Sequence, residues 1–244
     1  QVPLYKIPHG IDPHMYDGVK GDDFLTGGED TFKLYSIFQW NARKNPEGLL
    51  RAYFNAFQGQ DDVRLILKTY LGGMLTPHDD AQRIRERILA VKSDMQLPHF
   101  PKVTLISDRL SAEQIRALHL FGDAFVSLHR GGGGGWGPFE AGLAGRPVLA
   151  TNGGGNLEFM GHENSYLVDA YPTFVSGMGT FNPWYLGDQK WYEPDLVDAV
   201  DKLRFVKDNL SAAQTKGARL KDNIVRNFSW DQVAQKIIAR LEEI

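Results

Sequence analysis

The chain has 244 residues, of which 42% are hydrophobic, so it is long enough to bury a sizeable core within one domain. Its net charge of -3 provides no basic surface, which argues against nucleic acid as a partner. It has no cysteines for disulfides or metal thiolates, and no apolar stretch approaches the ~20 residues that span a bilayer.

The first 30 residues indicate an extended run followed by a loop. Val2 to Ile7 is strand-like in composition, and the stretch from Asp12 to Asp30 is rich in Asp and Gly without periodicity. The chain starts at Gln1 and enters the strand-like run almost at once. We therefore expect another domain to precede it in the same protein.

Alternating aromatic and aliphatic residues predict a first strand from Phe32 to Trp40. Pro46 predicts the start of a helix, because its missing N–H is not needed in the first turn. The apolar face of that helix comprises Leu49, Leu50, Tyr53, Phe54 and Phe57. Further strands are predicted at Val63 to Lys68 and at Val103 to Ser107.

Polar residues predict where the next two helices begin. Asp79 and Asp80 are expected to cap the helix that follows the second strand. Ser111, with Gln114 three residues later, has the spacing of a capping box before the next helix.

The stretch from Ser127 to Met160, SLHRGGGGGWGPFEAGLAGRPVLATNGGGNLEFM, contains two glycine turns. A strand at Ala124 to Val126 leads into five glycines, then into a helix expected to open at Pro138, then into a strand at Pro147 to Ala150. A second turn, Gly153 to Asn156, follows that strand. At the carboxyl ends of neighbouring strands, glycine turns let backbone N–H groups approach a phosphate. A flexible surface loop is the alternative.

The last third of the chain predicts one strand and then helices. The strand is expected at Asn164 to Val168, and residues 171–191, rich in aromatic residues and glycine, predict an irregular excursion. Residues 194–244 predict C-terminal helices, with Asp231 as a possible cap of the last. Their expected bounds are Pro194 to Asn209, Ser211 to Asn227 and Trp230 to Leu241.

From His129 to Met160 the chain resembles the donor-binding signature of retaining GT-B glycosyltransferases of family four, also called group 1. The segments SLHR, FEAGLAGRPVLAT and GGNLEFM match that signature in order and spacing, and VPLYKIPHGID near the start resembles the join between the two halves of such enzymes. The resemblance implies an α/β fold: a Rossmann-like parallel sheet with helices on both faces, the C-terminal half of a GT-B glycosyltransferase. Residues 1–244 would form one nucleotide-sugar-binding domain, with residues 1–30 as the inter-domain join.

The resemblance also implies a set of donor-binding residues. Lys44, with Arg43, would hold the diphosphate, Glu140 the ribose hydroxyls, and Ser107 to Arg109 would border the base. The full set is Arg43, Lys44, Ser107, Arg109, His129, Arg130, Gly131, Gly132, Gly133, Glu140, Gly154, Gly155 and Asn156. No catalytic residue is assigned, because the family's catalytic-face histidine belongs to the preceding half.

Structural alternatives stay open for these residues. Arg43 and Lys44 fit a solvated surface pair, Glu140 a residue favoured by the helix dipole, and Ser107 to Arg109 an ordinary turn. His129 could cap the strand end or lie over the sugar and phosphates. Arg130 could pair with a phosphate or with Glu140.

Two positions depart from the family pattern. A glutamate that would contact the donor sugar is expected eight residues before Glu140, where this chain has Gly132. The arginine expected five residues before the phosphate-binding lysine is Gln39, so either Arg43 replaces it or one phosphate contact is missing.

The resemblance implies a hexosyltransferase that moves a sugar from a nucleotide-diphosphate donor, UDP or GDP, with retention and without metal or other cofactor. A glycan, lipid or protein acceptor would be held by the N-terminal domain, and this domain alone would be inactive. Its expected location is cytoplasmic, with any membrane association through that other half. The alternative is a non-catalytic nucleotide- or sugar-binding module. A dinucleotide oxidoreductase and a P-loop NTPase are excluded, because neither G-x-G-x-x-G after the first strand nor G-K-[ST] occurs.

Overall fold

The structure is a computed structural model that describes residues 4–21, 31–72, 76–178, 185 and 187–243. These residues form eight strands, seven α-helices and two short 3₁₀ helices. The strands are β1 (Phe32–Gln39), β2 (Val63–Tyr70), β3 (Lys102–Ile106), β4 (Ala124–Ser127), β5 (Val148–Thr151), β6 (Tyr166–Val168), β7 (Ala170–Phe174) and β8 (Lys190–Pro194). The helices are α1 (Pro46–Ala56), α2 (Pro77–Met95), α3 (Ala112–Phe121), α4 (Trp136–Leu143), α5 (Leu196–Asp208), α6 (Leu210–Phe228) and α7 (Trp230–Glu242).

Six of the strands form a parallel sheet in the order β3-β2-β1-β4-β5-β6. The chain crosses from one edge of the sheet to its middle between β3 and β4, so the strand order reverses between β1 and β4. In open α/β sheets a crevice forms at the carboxyl ends of the two strands that flank such a switch point. The loops after β1 and β4 therefore meet at the position where ligands bind in this fold class.

Helices cover both faces of the sheet because the strand side chains alternate between two cores. Leu65 and Leu67 of β2 pack into the core formed with α1, α2 and α5. Ile66, between them, packs into the core formed with α3, α4 and α6. This arrangement confirms the predicted Rossmann-like parallel sheet with helices on both faces.

Two predicted helix caps and one predicted helix start were wrong, whereas the predicted start of the last helix at Trp230 is confirmed. Thr76, not Asp79 or Asp80, caps α2, and Asp79 completes the capping box from the third helical position. Helix α4 begins at Trp136, two residues before Pro138, because a proline is tolerated anywhere in the first turn, where no N–H is needed. Ser229, not Asp231, caps α7.

Two predictions about irregular and extended segments also need correction. Residues 4–7 form no strand. The ends of the 171–191 excursion are regular: β7 and β8 pair antiparallel, from Ala170 opposite Pro194 to Phe174 opposite Lys190. Of the aromatic side chains in β7 and β8, only that of Trp191 is buried, whereas those of Tyr171 and Phe174 are exposed. Predictions for residues 1–3, 22–30, 73–75, 179–184, 186 and 244 lie outside the described residues.

Within the described ranges, no helix is long and apolar enough to cross a membrane.

Candidate functional site

Gly131 to Gly135 form the loop that joins β4 to α4 at the switch point. Among the described residues, no acceptor receives a hydrogen bond from any of their five backbone N–H groups. The first turn of α4 has no side-chain cap either. Unsatisfied N–H groups and the positive end of a helix dipole together favour an anion.

The second glycine turn packs directly on this loop. A Cβ on Gly155 would lie 1.7 Å from the carbonyl oxygen of Gly133, and a Cβ on Gly153 would lie 2.5 Å from the ring of Tyr192. Gly155 also donates its N–H to the carbonyl of Gly132, at 3.2 Å. Gly155 is therefore required by close packing between the two turns, which confirms that the turns are neighbours, and Gly153 is required by the packing of the second turn on β8.

Lys44 and Arg43 end the short 3₁₀ turn after β1 and lie beside the glycine loop. The Nη1 of Arg43 donates to the carbonyl of Gly131 at 2.9 Å. Burial, and then the charge of Arg43, lower the pKa of Lys44 below its usual value. No carboxylate of the described residues pairs with the Lys44 ammonium. A bound anion would supply the missing countercharge.

Arg130 is committed to contacts within the protein. Its guanidinium donates two hydrogen bonds to the carboxylate of Glu193, at 2.5 and 3.0 Å, and one to the carbonyl of Ala42 at 2.8 Å. It also lies 5.2 Å above the ring of Trp191. Arg130 therefore fastens the β7–β8 hairpin to the loops after β1 and β4 and does not pair with Glu140.

His129 connects the loops after β4 and β5. The ring is 3% exposed, with Nδ1 at 3.0 Å from the Ser127 hydroxyl and Nε2 at 3.3 Å from Oδ1 of Asn156. Burial is the largest cause that lowers the pKa of His129 from 6.5 to about 4, and the charge of Lys44 is the second. The imidazole is therefore neutral at pH 7, with both nitrogens occupied.

Glu140 lies further along α4, about 6 Å beyond the helix start. Its Oε2 is 3.5 Å from Nε2 of the fully buried His119, and its side chain is 29% exposed. Tyr16 donates its hydroxyl to the Glu140 carbonyl at 2.9 Å. Sequence reasoning missed His119, because a histidine on the buried face of a helix carries no distinguishing signal.

Ser107 and Arg109 lie in the loop after the edge strand β3. They line a cavity of about 660 Å³ with Gln39, Lys68 and Asp80. The glycine loop instead borders a cavity of about 540 Å³, lined by Arg43, Gly131, Gly132, Gly133, Val175, Tyr185, Gln189, Lys190 and Trp191. The fold thus gathers the residues after β1, β4 and β5 at one place, whereas Ser107, Arg109 and Glu140 lie apart from that cluster.

The part of the chain described here holds no cluster of three or more His, Asp or Glu residues suited to a metal ion. The expectation that no metal takes part stays a prediction.

No protein-family model matches the chain, and no curated protein matches it. Solved structures do match: the chain has the fold of the C-terminal domain of a GT-B glycosyltransferase of group 1. It is similar to the C-terminal domain of the group 1 protein LpcC from Francisella tularensis, at 15% identity and a TM-score of 0.64, covering 91% of this chain and 100% of that one.

Two longer glycosyltransferases show the same likeness. HepE from Anabaena, solved with UDP and glucose, has 16% identity, a TM-score of 0.65 and a match over 96% of this chain and 56% of its own. Sucrose-phosphate synthase from Thermosynechococcus elongatus has 18% identity, a TM-score of 0.67 and a match over 97% and 51%. The chain thus spans about half the length of these two proteins.

The two glycine turns are expected to respond unequally to one added methyl group. Gly155→Ala should lower the free energy of unfolding by about 1–3 kcal/mol, because the methyl would overlap the Gly133 carbonyl. Gly133→Ala should change it by less than about 0.5 kcal/mol, since no atom lies within 4 Å of the new Cβ. Urea denaturation measures both variants. Equal losses would contradict the described packing of the turns.

The buried His129 predicts a loss of stability in acid. Between pH 6.5 and pH 4 the unfolded chain binds a proton at this residue and the folded chain does not, so stability falls as the pH falls. From pH 7 to pH 4 this one group should remove roughly 3 kcal/mol. Urea denaturation of wild type and His129→Gln across that range isolates the effect. Parallel pH profiles for the two proteins would refute it.

Proposed function

We propose that this chain is the donor-binding domain of a glycosyltransferase that uses a nucleotide-diphosphate sugar. One observation carries the proposal: at the switch point of the sheet, the five N–H groups of Gly131 to Gly135 and the half-buried ammonium of Lys44 lie side by side, and none of them has an acceptor or a countercharge among the described residues. A diphosphate would accept hydrogen bonds from the N–H groups and balance the charge of Lys44. The known binding of UDP by the structurally similar HepE supports this choice of anion.

In this proposal the protein's own cations take the place of a metal ion. Lys44 and Arg43 would neutralise the negative charge that develops on the leaving nucleoside diphosphate, and the loop amides would hold its oxygens. Preorganised donors of this kind act without rearranging during the reaction. We therefore propose metal-independent transfer and, from the family resemblance alone, retention of configuration at the sugar.

The remaining assignments follow from position along the crevice. Glu140, an acceptor-only carboxylate on the helix after the glycine loop, would bind the ribose hydroxyls. Ser107 and Arg109, in the loop after β3, would border the base. His129 and Asn156 would act indirectly, by fixing the glycine turns relative to each other. The proposed donor is a UDP- or GDP-hexose.

The acceptor would be a glycan, lipid or protein bound by an N-terminal domain of the same enzyme, and transfer would require that domain. This proposal is consistent with the matched length, which is about half of HepE and of sucrose-phosphate synthase. We propose a cytoplasmic location for the reaction.

A non-catalytic binding module is the second candidate, and Gly132 favours it, because no carboxylate replaces the glutamate expected at this position. The structure tolerates a side-chain Cβ at this position: a Cβ on Gly132 would lie 3.4 Å from the ring of His129, an ordinary contact. The glycine is therefore not required by crowding.

Nucleotide binding is the first test. In calorimetric titrations with UDP, GDP and ADP without metal, we expect one nucleotide to bind. Lys44→Ala should weaken that binding roughly tenfold or more, through the loss of a charge-assisted contact. Lys216→Ala is the matched control. Lys216 is also partly buried, but it lies on α6, where its ammonium packs against the ring of Tyr166. If none of the three nucleotides binds, or if both lysine variants lose affinity equally, the donor site proposed here is wrong.

Sugar transfer by the full-length protein distinguishes the two candidates. If the carboxylate at this position limits transfer, Gly132→Glu should increase the rate of transfer from the donor, whereas Gly132→Gln, of equal size and no charge, should not. Product formation is measured with the sugar nucleotide whose base binds in the titration. A wild-type protein and a Gly132→Glu variant that both bind nucleotide but transfer nothing would favour the binding module.

A further inference from the structure

A buried chain of polar side chains connects the middle of the sheet to Glu140. Tyr35 of β1 and His119 of α3 are both 0% exposed, and the Tyr35 hydroxyl lies 3.0 Å from Nδ1 of His119. On the other side of the ring, Nε2 of His119 lies 3.5 Å from Oε2 of Glu140. Three polar groups thus form a continuous spatial series, from the hydroxyl of Tyr35 in the core to the partly exposed carboxylate of Glu140.

The arrangement determines where the protons are. Burial raises the pKa of Tyr35 well above its usual value, so its hydroxyl keeps its proton. If the hydroxyl donates to Nδ1, the neutral ring carries its proton on Nε2, directed at the Glu140 carboxylate. The opposite tautomer would place a nitrogen lone pair against carboxylate oxygens, which is repulsive. The network therefore favours Nε2–H facing Glu140.

The contact between His119 and Glu140 is not fully formed. At 3.5 Å it is too long for a good hydrogen bond, and within the described residues Nε2 has no hydrogen-bond partner at all. An unpaired donor in the core is costly. Contacts of this kind often shorten when ligand binds. The carboxylate of Glu140 is the group that can pair with this donor.

Hydrogen bonds from side chains to backbone carbonyls hold the neighbouring elements in place around this network. Arg146 donates to the carbonyls of His119 and Leu120, at 3.1 and 2.5 Å, and so ties the end of α4 to α3. Tyr16 donates to the Glu140 carbonyl at 2.9 Å. The Glu140 carboxylate, 29% exposed, is the only member of the Tyr35–His119–Glu140 series that solvent or a ligand can reach.

We propose that His119, oriented by Tyr35, is a positioning residue that holds the Glu140 carboxylate for recognition of the ribose hydroxyls of the donor nucleotide. This inference rests on the proposed function and adds to it the residues that impose ribose selectivity. One carboxylate oxygen would accept the imidazole N–H, which leaves the other free for a sugar hydroxyl. Folding would already restrict the rotation of the Glu140 side chain, so nucleotide binding would not carry that entropy cost.

The preference for ribose over 2′-deoxyribose is the quantity to measure, because it would not change if His119 only stabilised the fold. UDP, GDP and ADP are each titrated beside their 2′-deoxy counterparts, and the ratio of the two dissociation constants is measured. The wild-type protein should prefer the ribonucleotide roughly tenfold. Glu140→Ala should abolish that preference, and His119→Phe should reduce it to within about threefold of unity. His119→Gln, which keeps a donor near the position of Nε2, should retain most of it.

Tyr35→Phe and Tyr53→Phe form a matched pair of controls. Both tyrosines are fully buried, and each would lose one hydrogen-bonded hydroxyl, but Tyr53 donates to the carbonyl of Lys102 in the opposite core. Tyr35→Phe should lower the ribose preference, and Tyr53→Phe should lower thermal stability alone. His119→Phe could weaken the binding of ribo- and deoxyribonucleotides by the same factor while Glu140→Ala abolishes the preference. That result would contradict the role of His119 and leave the donor site supported. If the wild type binds no nucleotide, both fall.

Discussion

The close contact between the two glycine turns is the constraint on which the site depends. Gly155 can approach the Gly133 carbonyl only because it has no side chain, and the same approach aligns the loops after β4 and β5. With the carbonyls of Gly131 and Gly132 directed at Arg43 and Gly155, the loop N–H groups have no acceptor within the described ranges of the chain. The packing of one turn therefore creates the anion-binding potential of the other.

The charges around this loop have different uses, although the sequence places them close together. Arg130 is neutralised by Glu193 and joins the β7–β8 hairpin to the site, so it is part of the framework. Lys44 has no such partner in the part of the chain that the structure describes, and it is held in a partly buried position beside a neutral His129. A positive charge that the fold desolvates without compensation is the group best suited to bind a ligand's phosphate.

Both proposed ligand contacts share one design, in which a buried residue fixes an accessible one. His129 and Asn156 fix the turns that present the backbone amides, and His119 with Tyr35 faces the carboxylate of Glu140. Both sets of groups originate at the β1–β4 switch point, since β1 supplies Tyr35 and leads into the turn with Lys44, while β4 leads into the glycine loop and then α4. Backbone and side-chain recognition would thus be anchored in the same strands.

Local sequence patterns determined much of the fold: the alternation in β1, the proline at the start of α1 and the glycines after β4 each act over a few residues. They also predicted that the glycine turns would be neighbours, because parallel strands end at one edge. Long-range contacts decided the rest. Whether Arg130 meets Glu193 or Glu140, and whether His119 meets Glu140, depends on residues 63 or 21 positions apart in the chain, which no local pattern encodes. Sequence thus determined the elements and their chemistry, and tertiary packing decided which charged groups remain free for a ligand.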